Sequence, residues 1–80
     1  MRIDKFLKVS RIIKRRTVAK DVCDGGKVKI NGRVAKAGTD VAVGDQIEIQ
    51  FGEKLFCARV KEIRETVPAK EADTLYEVIV

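Results

Sequence analysis

Hydrophobic positions along this chain recur with two different periods, and the point where the period changes divides it in two. Over residues 3–11 the spacing is helical. At about 100° per residue Ile3, Phe6 and Leu7 fall on one side, while Asp4, Lys8 and Arg11 fall on another. Asp4 stands where an N-cap or first-turn acid accepts from backbone N–H groups that have no partner inside the helix. Residues 10–16 read as the end of this helix and a short connection, with Ile12 and Ile13 turned inward among Arg11, Lys14, Arg15 and Arg16. Thr17 is placed as the N-cap of a second helix of about two turns, in which Val18, Ala19, Val22 and Cys23 share the inner face. Gly25-Gly26 ends it, since glycine adopts the left-handed closing conformation without steric cost.

After Gly26 the period becomes two. Val28 and Ile30 alternate with Lys29, and Asn31-Gly32 before Arg33-Val34 is a strong hairpin signal. Val41-Ala42-Val43 leads into a Gly44-Asp45 turn. Ile47, Ile49 and Phe51 then alternate with Gln46, Glu48 and Gln50 as a half-buried strand. Gly52-Glu53 turns the chain into a strand carrying Phe56, Ala58 and Val60 inward, with a bulge expected near Lys61-Glu62. Residues 66–74, which hold the only proline, read as a loop, and residues 75–80 as a closing strand. Two short N-terminal helices packed on a small, mostly antiparallel sheet make an α+β fold.

Size limits what this fold can do. Eighty residues are expected to form one domain spanning residues 1–80. A chain this short buries only about 60% of its unfolded surface, so few apolar side chains are spare for a deep substrate pocket. Charge is sharply segregated: residues 1–36 carry 12 Lys and Arg against Asp4, Asp21 and Asp24, whereas residues 37–80 carry 5 basic and 9 acidic side chains. A one-sided basic field concentrates and steers a polyanion.

The chemistry on offer is that of binding. The chain has no histidine, its glycines lack phosphate-loop spacing, and no nucleophile stands beside a base in a known motif, so neither an enzyme nor a cofactor is expected. Cys23 and Cys57 form no C-x-x-C pair, which argues against a zinc site. They are read as two buried reduced thiols in a cytoplasmic protein, although spacing alone leaves a disulfide open. The N-terminus is too polar for a signal peptide and no apolar run reaches membrane-spanning length. By contrast, Lys8, Arg11, Lys14, Arg15, Arg16 and Lys20 line two helices and their connection. Each can neutralise a phosphate, and arginine can do so bidentately. Thr17 would add the open N–H groups of a helix start. Phe6, Phe51 and Phe56 fit core positions, leaving only Tyr76 as a stacking platform, so phosphates and shape on folded RNA are the expected targets. A helix-turn-helix reader of DNA fits less well, because its second helix would present Asp21 and Asp24 to a phosphate backbone.

Four ordered blocks also carry a family resemblance. Arg2-Ile3-Asp4-Lys5-Phe6-Leu7, then Ser10-Arg11 with Arg15-Arg16-Thr17-Val18-Ala19, then Gly26-Lys27-Val28-Lys29-Ile30-Asn31-Gly32, and finally Val43-Gly44-Asp45-Gln46-Ile47 resemble the S-four RNA-binding domain family. The resemblance spans residues 1–49, with residues 50–80 as a strand extension. It implies the alpha-L RNA-binding motif, in which two helices and a hairpin grip structured ribosomal or transfer RNA. Carried over residue by residue, Arg2, Lys8, Arg11, Lys14, Arg15, Arg16, Thr17 and Lys20 would contact phosphates, joined by Lys29, Asn31 and Lys36. The full length resembles short stand-alone members related to the heat-shock protein Hsp-fifteen. Those bind large ribosomal subunits carrying stalled peptidyl-tRNA and assist C-terminal tailing of the nascent chain in ribosome-associated quality control. The implied partners are large-subunit ribosomal RNA, tRNA and a protein of that pathway, with the chain a monomer off the ribosome. The alternative is a protein-interaction module whose basic face docks on an acidic partner.

Overall fold

A computed structural model describes residues 1–79 of the chain. Helix α1 (Ile3–Val9) forms because Ile3, Phe6 and Leu7 make a stripe that is buried completely against the rest of the protein. It stops two residues before the expected Arg11. Arg11 takes a left-handed φ of 62°, and the buried Ser10 hydroxyl donates back to the Leu7 carbonyl at 3.2 Å, so the chain leaves the helix axis where its charge pattern still continues. Ile13 is buried and Ile12 half-buried, as the alternation with Lys14 and Arg15 implied.

Helix α2 (Arg16–Asp24) begins two residues earlier than an N-cap at Thr17 suggested. Arg15 is the N-cap, with no side-chain capping bond, and Thr17 lies inside the first turn with its side chain exposed. Capping propensity yields here to the anchoring of Ile13 and Ala19, which sets the helix phase. Ala19 and Cys23 are buried and Val22 half-buried, but Val18, at the edge of that stripe, is 44% exposed and not part of the inner face. The helix closes on glycine as expected. Gly26 sits at φ 79°, its N–H donates to Cys23 at 3.0 Å and that of Lys27 to Val22 at 3.2 Å, the paired bonds of a Schellman motif.

Five antiparallel strands follow in the order β2-β1-β3-β4-β5: β1 (Val28–Ile30), β2 (Arg33–Val34), β3 (Gln46–Phe51), β4 (Lys54–Val60) and β5 (Tyr76–Val78). Asn31 and Gly32 both take positive φ, 52° and 84°, which is what a two-residue primed hairpin turn between β1 and β2 demands. Val28 pairs with Ile49 and Ile30 with Ile47, putting these four side chains on the face beneath the helices. The same register turns Lys29, Glu48 and Cys57 to the opposite face. Cys57 is therefore half-buried and not a core thiol; it and the buried Cys23 are both free.

Alternation along β3 predicted Phe51 inside, yet it is 40% exposed. Its only neighbour in register is Lys54 at the hairpin end, beyond the reach of β1. Lys61 and Glu62 both donate to the single Leu75 carbonyl, at 2.8 and 3.2 Å, the two-against-one pattern of the expected bulge. Residues read as a loop instead hold a 3₁₀ helix, η1 (Ala69–Leu75), because Ala72 and Leu75, spaced by one 3₁₀ turn, are both buried. Leu75 consequently belongs to this helix, and the closing strand starts at Tyr76. Val80, the last residue of the expected strand, lies outside the described residues.

The segment between β2 and β3 ties the ends of the fold together. Thr39 and Ala37 carbonyls accept from the Ile3 and Asp4 amides at 2.8 and 3.3 Å, and Asp24 accepts from the Ala37 amide at 3.0 Å. This holds α1 in place beside α2, with the two helix starts adjoining.

Candidate nucleic-acid interface

The N-terminal residues of both helices meet at one carboxylate. Asp4, on the first turn of α1, has a side chain only 3% exposed. Arg2 donates to it twice, Nε to Oδ1 at 3.2 Å and Nη2 to Oδ2 at 3.1 Å, while Arg16 brings Nη2 to 3.5 Å of Oδ1. The Lys5 backbone N–H completes the set at 2.7 Å. A bidentate guanidinium–carboxylate contact fixes direction as well as distance. Asp4 thus acts as a buried anchor that holds two half-exposed arginines side by side across the junction of α1 and α2. Its first-turn position was legible in the sequence; its bond to a residue twelve positions later was not.

Around this pair the remaining helical candidates are all exposed: Lys8, Arg11, Lys14, Arg15, Thr17 and Lys20. Among the described residues none of the five cations in that set forms an ion pair. Uncompensated cations on adjoining helices and their connection are what a polyanion requires, since each can replace a condensed counterion.

The other three candidates sit elsewhere. Lys29 projects from the far face of the sheet, opposite Glu48, and so does not join the helical surface. Asn31 spends both ends of its amide on the neighbouring turn: its Oδ1 accepts from Gln46 N–H at 2.9 Å and its Nδ2 donates to Asp45 at 3.0 Å. Lys36 reaches the Asp24 carbonyl, at 3.4 Å, near the C-terminal end of α2. A concavity of about 390 Å³ beside Lys27, Lys29, Glu48 and Leu55 is lined by none of the helical cations. A surface that grips phosphates does not need it.

Aromatic side chains are few and mostly occupied. Phe6 is buried, and Tyr76, expected to be free, packs edge-on against Phe56 with ring centroids 6.1 Å apart. The one well-exposed ring is Phe51, at the end of the β3–β4 hairpin. Base stacking on the helical surface is therefore poorly supplied.

Comparison with known proteins decides the family. The S4 domain family model matches residues 1–47. The chain belongs to the S4 domain family. Along nearly its full length it is also similar to curated proteins named RQC P-site tRNA stabilizing factor. The relative from Halalkalibacterium halodurans is 59% identical over 78 residues, covering 98% of this chain and 89% of that protein. The relative from Bacillus subtilis is 51% identical over 79 residues, covering 99% and 92%. Among solved structures, trimeric Vibrio cholerae Heat Shock Protein 15 superposes with a TM-score of 0.89 at 34% identity, covering 99% of this chain and 81% of that one. The likeness to the heat-shock fold therefore takes in residues 50–79 as well as the helices and hairpin.

Proposed function

We propose that this protein is an RNA-binding factor of ribosome-associated quality control. It binds the large ribosomal subunit carrying stalled peptidyl-tRNA and so assists C-terminal tailing of the nascent chain. Arg2, Lys8, Arg11, Lys14, Arg15, Arg16, Thr17 and Lys20 take phosphates of ribosomal RNA or tRNA on the helical face of residues 1–49. Lys29, Asn31 and Lys36 serve as outlying contacts, Asn31 through the second hydrogen of its Nδ2, since its amide oxygen and its backbone N–H are engaged. The observation that carries the reading is the row of exposed cations on and between the two helices, none of them in an ion pair among the described residues, around the Asp4-anchored arginines. The names of the similar proteins, which describe stabilization of P-site tRNA, support the ribosomal setting.

The protein acts by binding and not by catalysis, without a cofactor, as a cytoplasmic monomer that meets its protein partner on the ribosome. Stabilization follows from linkage: a factor that prefers the tRNA-occupied subunit must shift the equilibrium towards occupancy. About a tenfold preference, or roughly 1.4 kcal/mol, is enough to bias a slow cycle. Co-sedimentation with large subunits, with and without peptidyl-tRNA, tests this. With about six phosphates neutralised, affinity should fall roughly 10³-fold between 50 and 200 mM salt. Equal affinity for both kinds of subunit would remove the stabilizing mechanism. Binding that survives ribonuclease would turn the reading towards an acidic protein partner.

A further inference from the structure

Residues 62–67, beyond the stretch that the family model matches, fold back along α1. Ile63 and Val67 pack on the core, which presses Glu65 and Thr66 against the exposed side of the helix. Together with Lys8, Val9 and Arg11 they line a cleft of about 110 Å³. An open cleft lined by cations suits the anionic phosphodiester group. Lys5 stands one turn before Lys8 on the same side of α1 and forms an ion pair with Glu65. Lys8 and Arg11 thus line one cleft with Lys5 at its edge, and the one carboxylate in its lining, Glu65, is supplied by the C-terminal segment.

We propose that this cleft binds a backbone phosphate of the RNA, with Glu65 as an internal stand-in that holds Lys5 until the phosphate displaces it. The proposal rests on the RNA-binding reading above and gives the C-terminal segment a share in it. Glu65 suits displacement. Its side chain is 76% exposed and that of Lys5 34% exposed, and a pair in that setting is weak and screened by salt. It also stays ionised: the hydrogen bond from Lys5, and next the charge of Lys5, hold its carboxyl below the ordinary range. A phosphate sharing three cations outcompetes a carboxylate that engages one. Asp4 is different, because its burial, its three hydrogen bonds and its ion pair with Arg16 make it part of the fold.

The test is co-sedimentation of the full chain with large ribosomal subunits across a salt series, comparing Glu65→Gln with Glu53→Gln. The control removes the same charge from the exposed β3–β4 turn. Glu65→Gln should bind about two- to fivefold tighter, the range an exposed ion pair can supply, with a salt slope steeper by about one phosphate. Glu53→Gln should differ from the parent by less than twofold. Lys5→Met should weaken binding, and adding Glu65→Gln to it should recover nothing, because the pair acts as a unit. Gain on subunits with and without peptidyl-tRNA assigns the phosphate to ribosomal RNA; gain only where peptidyl-tRNA is present assigns it to tRNA. If the parent binds while Glu65→Gln and Glu53→Gln behave alike, the cleft is excluded and the RNA-binding reading stands. If the parent does not bind, both fall.

Discussion

Replacing Asp4 by Asn separates two effects that push RNA affinity in opposite directions. The amide keeps the shape and one acceptor oxygen for the Lys5 N–H, but it loses the charge that receives Arg2 and Arg16. Both arginines are about half exposed, so their ion pairs must be discounted to surface values of roughly 0.2–1 kcal/mol each. Weakening the charged bond to the backbone N–H adds about 1 kcal/mol. The expected loss is about 2 kcal/mol, which for a domain of this size lowers Tm by roughly 8–16 °C. On affinity, the variant gains one net positive charge, and long-range attraction alone predicts binding up to about fivefold tighter. Against that, two freed arginines must be re-ordered on each binding event, at roughly 0.5–1.5 kcal/mol per side chain. Ordering wins, and the net expectation is about tenfold weaker binding. Circular dichroism would follow unfolding, and co-sedimentation well below the lowered Tm would follow affinity. A folded variant that binds as tightly as the parent, or tighter, would show that the arginines need no anchor.

Three further outcomes test the fold. Leu75 is fully buried and its carbonyl receives both amides of the bulge, so Leu75→Ala should cost about 2–5 kcal/mol by denaturant titration; a loss under about 1 kcal/mol would show the C-terminal segment to be an appendage. Burial, with Asp4 and Asp24 adding their charges, pushes the Cys23 thiol from its ordinary 9.0 up to about 11, whereas Cys57 is half-buried on the sheet face. At pH 8 a thiol reagent should therefore label one equivalent in the native protein and two in denaturant. Because folded Cys23 holds its proton more tightly than the unfolded chain does, its contribution is complete below about pH 9 and is lost as pH rises through about 11. Cys23→Ala should flatten that alkaline decline.

Local rules were legible where the chain obeys them locally. Asn31-Gly32 specifies a turn needing two positive φ values, and Gly26 the Schellman closure, because few residues tolerate those conformations. The stripe of Ile3, Phe6 and Leu7 set the buried face of α1. Departures arose where a distant partner decides. Nothing in β3 says that β1 stops opposite Ile49, so Phe51 could not be told from Ile47. Residues 66–74 read as a polar loop because, of that stretch and the following Leu75, only Ala72 and Leu75 are buried. The basic surface could be read as a set of cations, but not as an organised one. Its two internal carboxylates act on residues twelve and sixty positions away.

Those two carboxylates suggest why a net charge of +5 is built from twelve acids and seventeen bases instead of from bases alone. A cluster of lysines and arginines repels itself and leaves long side chains disordered, so each pays the ordering entropy when RNA arrives. The backbone does not help at α1, whose Ile3 and Asp4 amides are already satisfied by Thr39 and Ala37 and present no free amides to a phosphate. Side chains must do the gripping and have to be arranged beforehand. A buried acid does this permanently, as Asp4 does for Arg2 and Arg16, because removing it leaves two guanidiniums without direction. An exposed acid does it provisionally, as Glu65 does for Lys5, since the same contact in water is weak enough to exchange for a phosphate. Burial, not residue type, separates the acid that shapes the surface from the acid that yields its place. The two should therefore respond oppositely to neutralisation: Asp4→Asn weakens RNA binding and Glu65→Gln strengthens it, although each adds the same single charge.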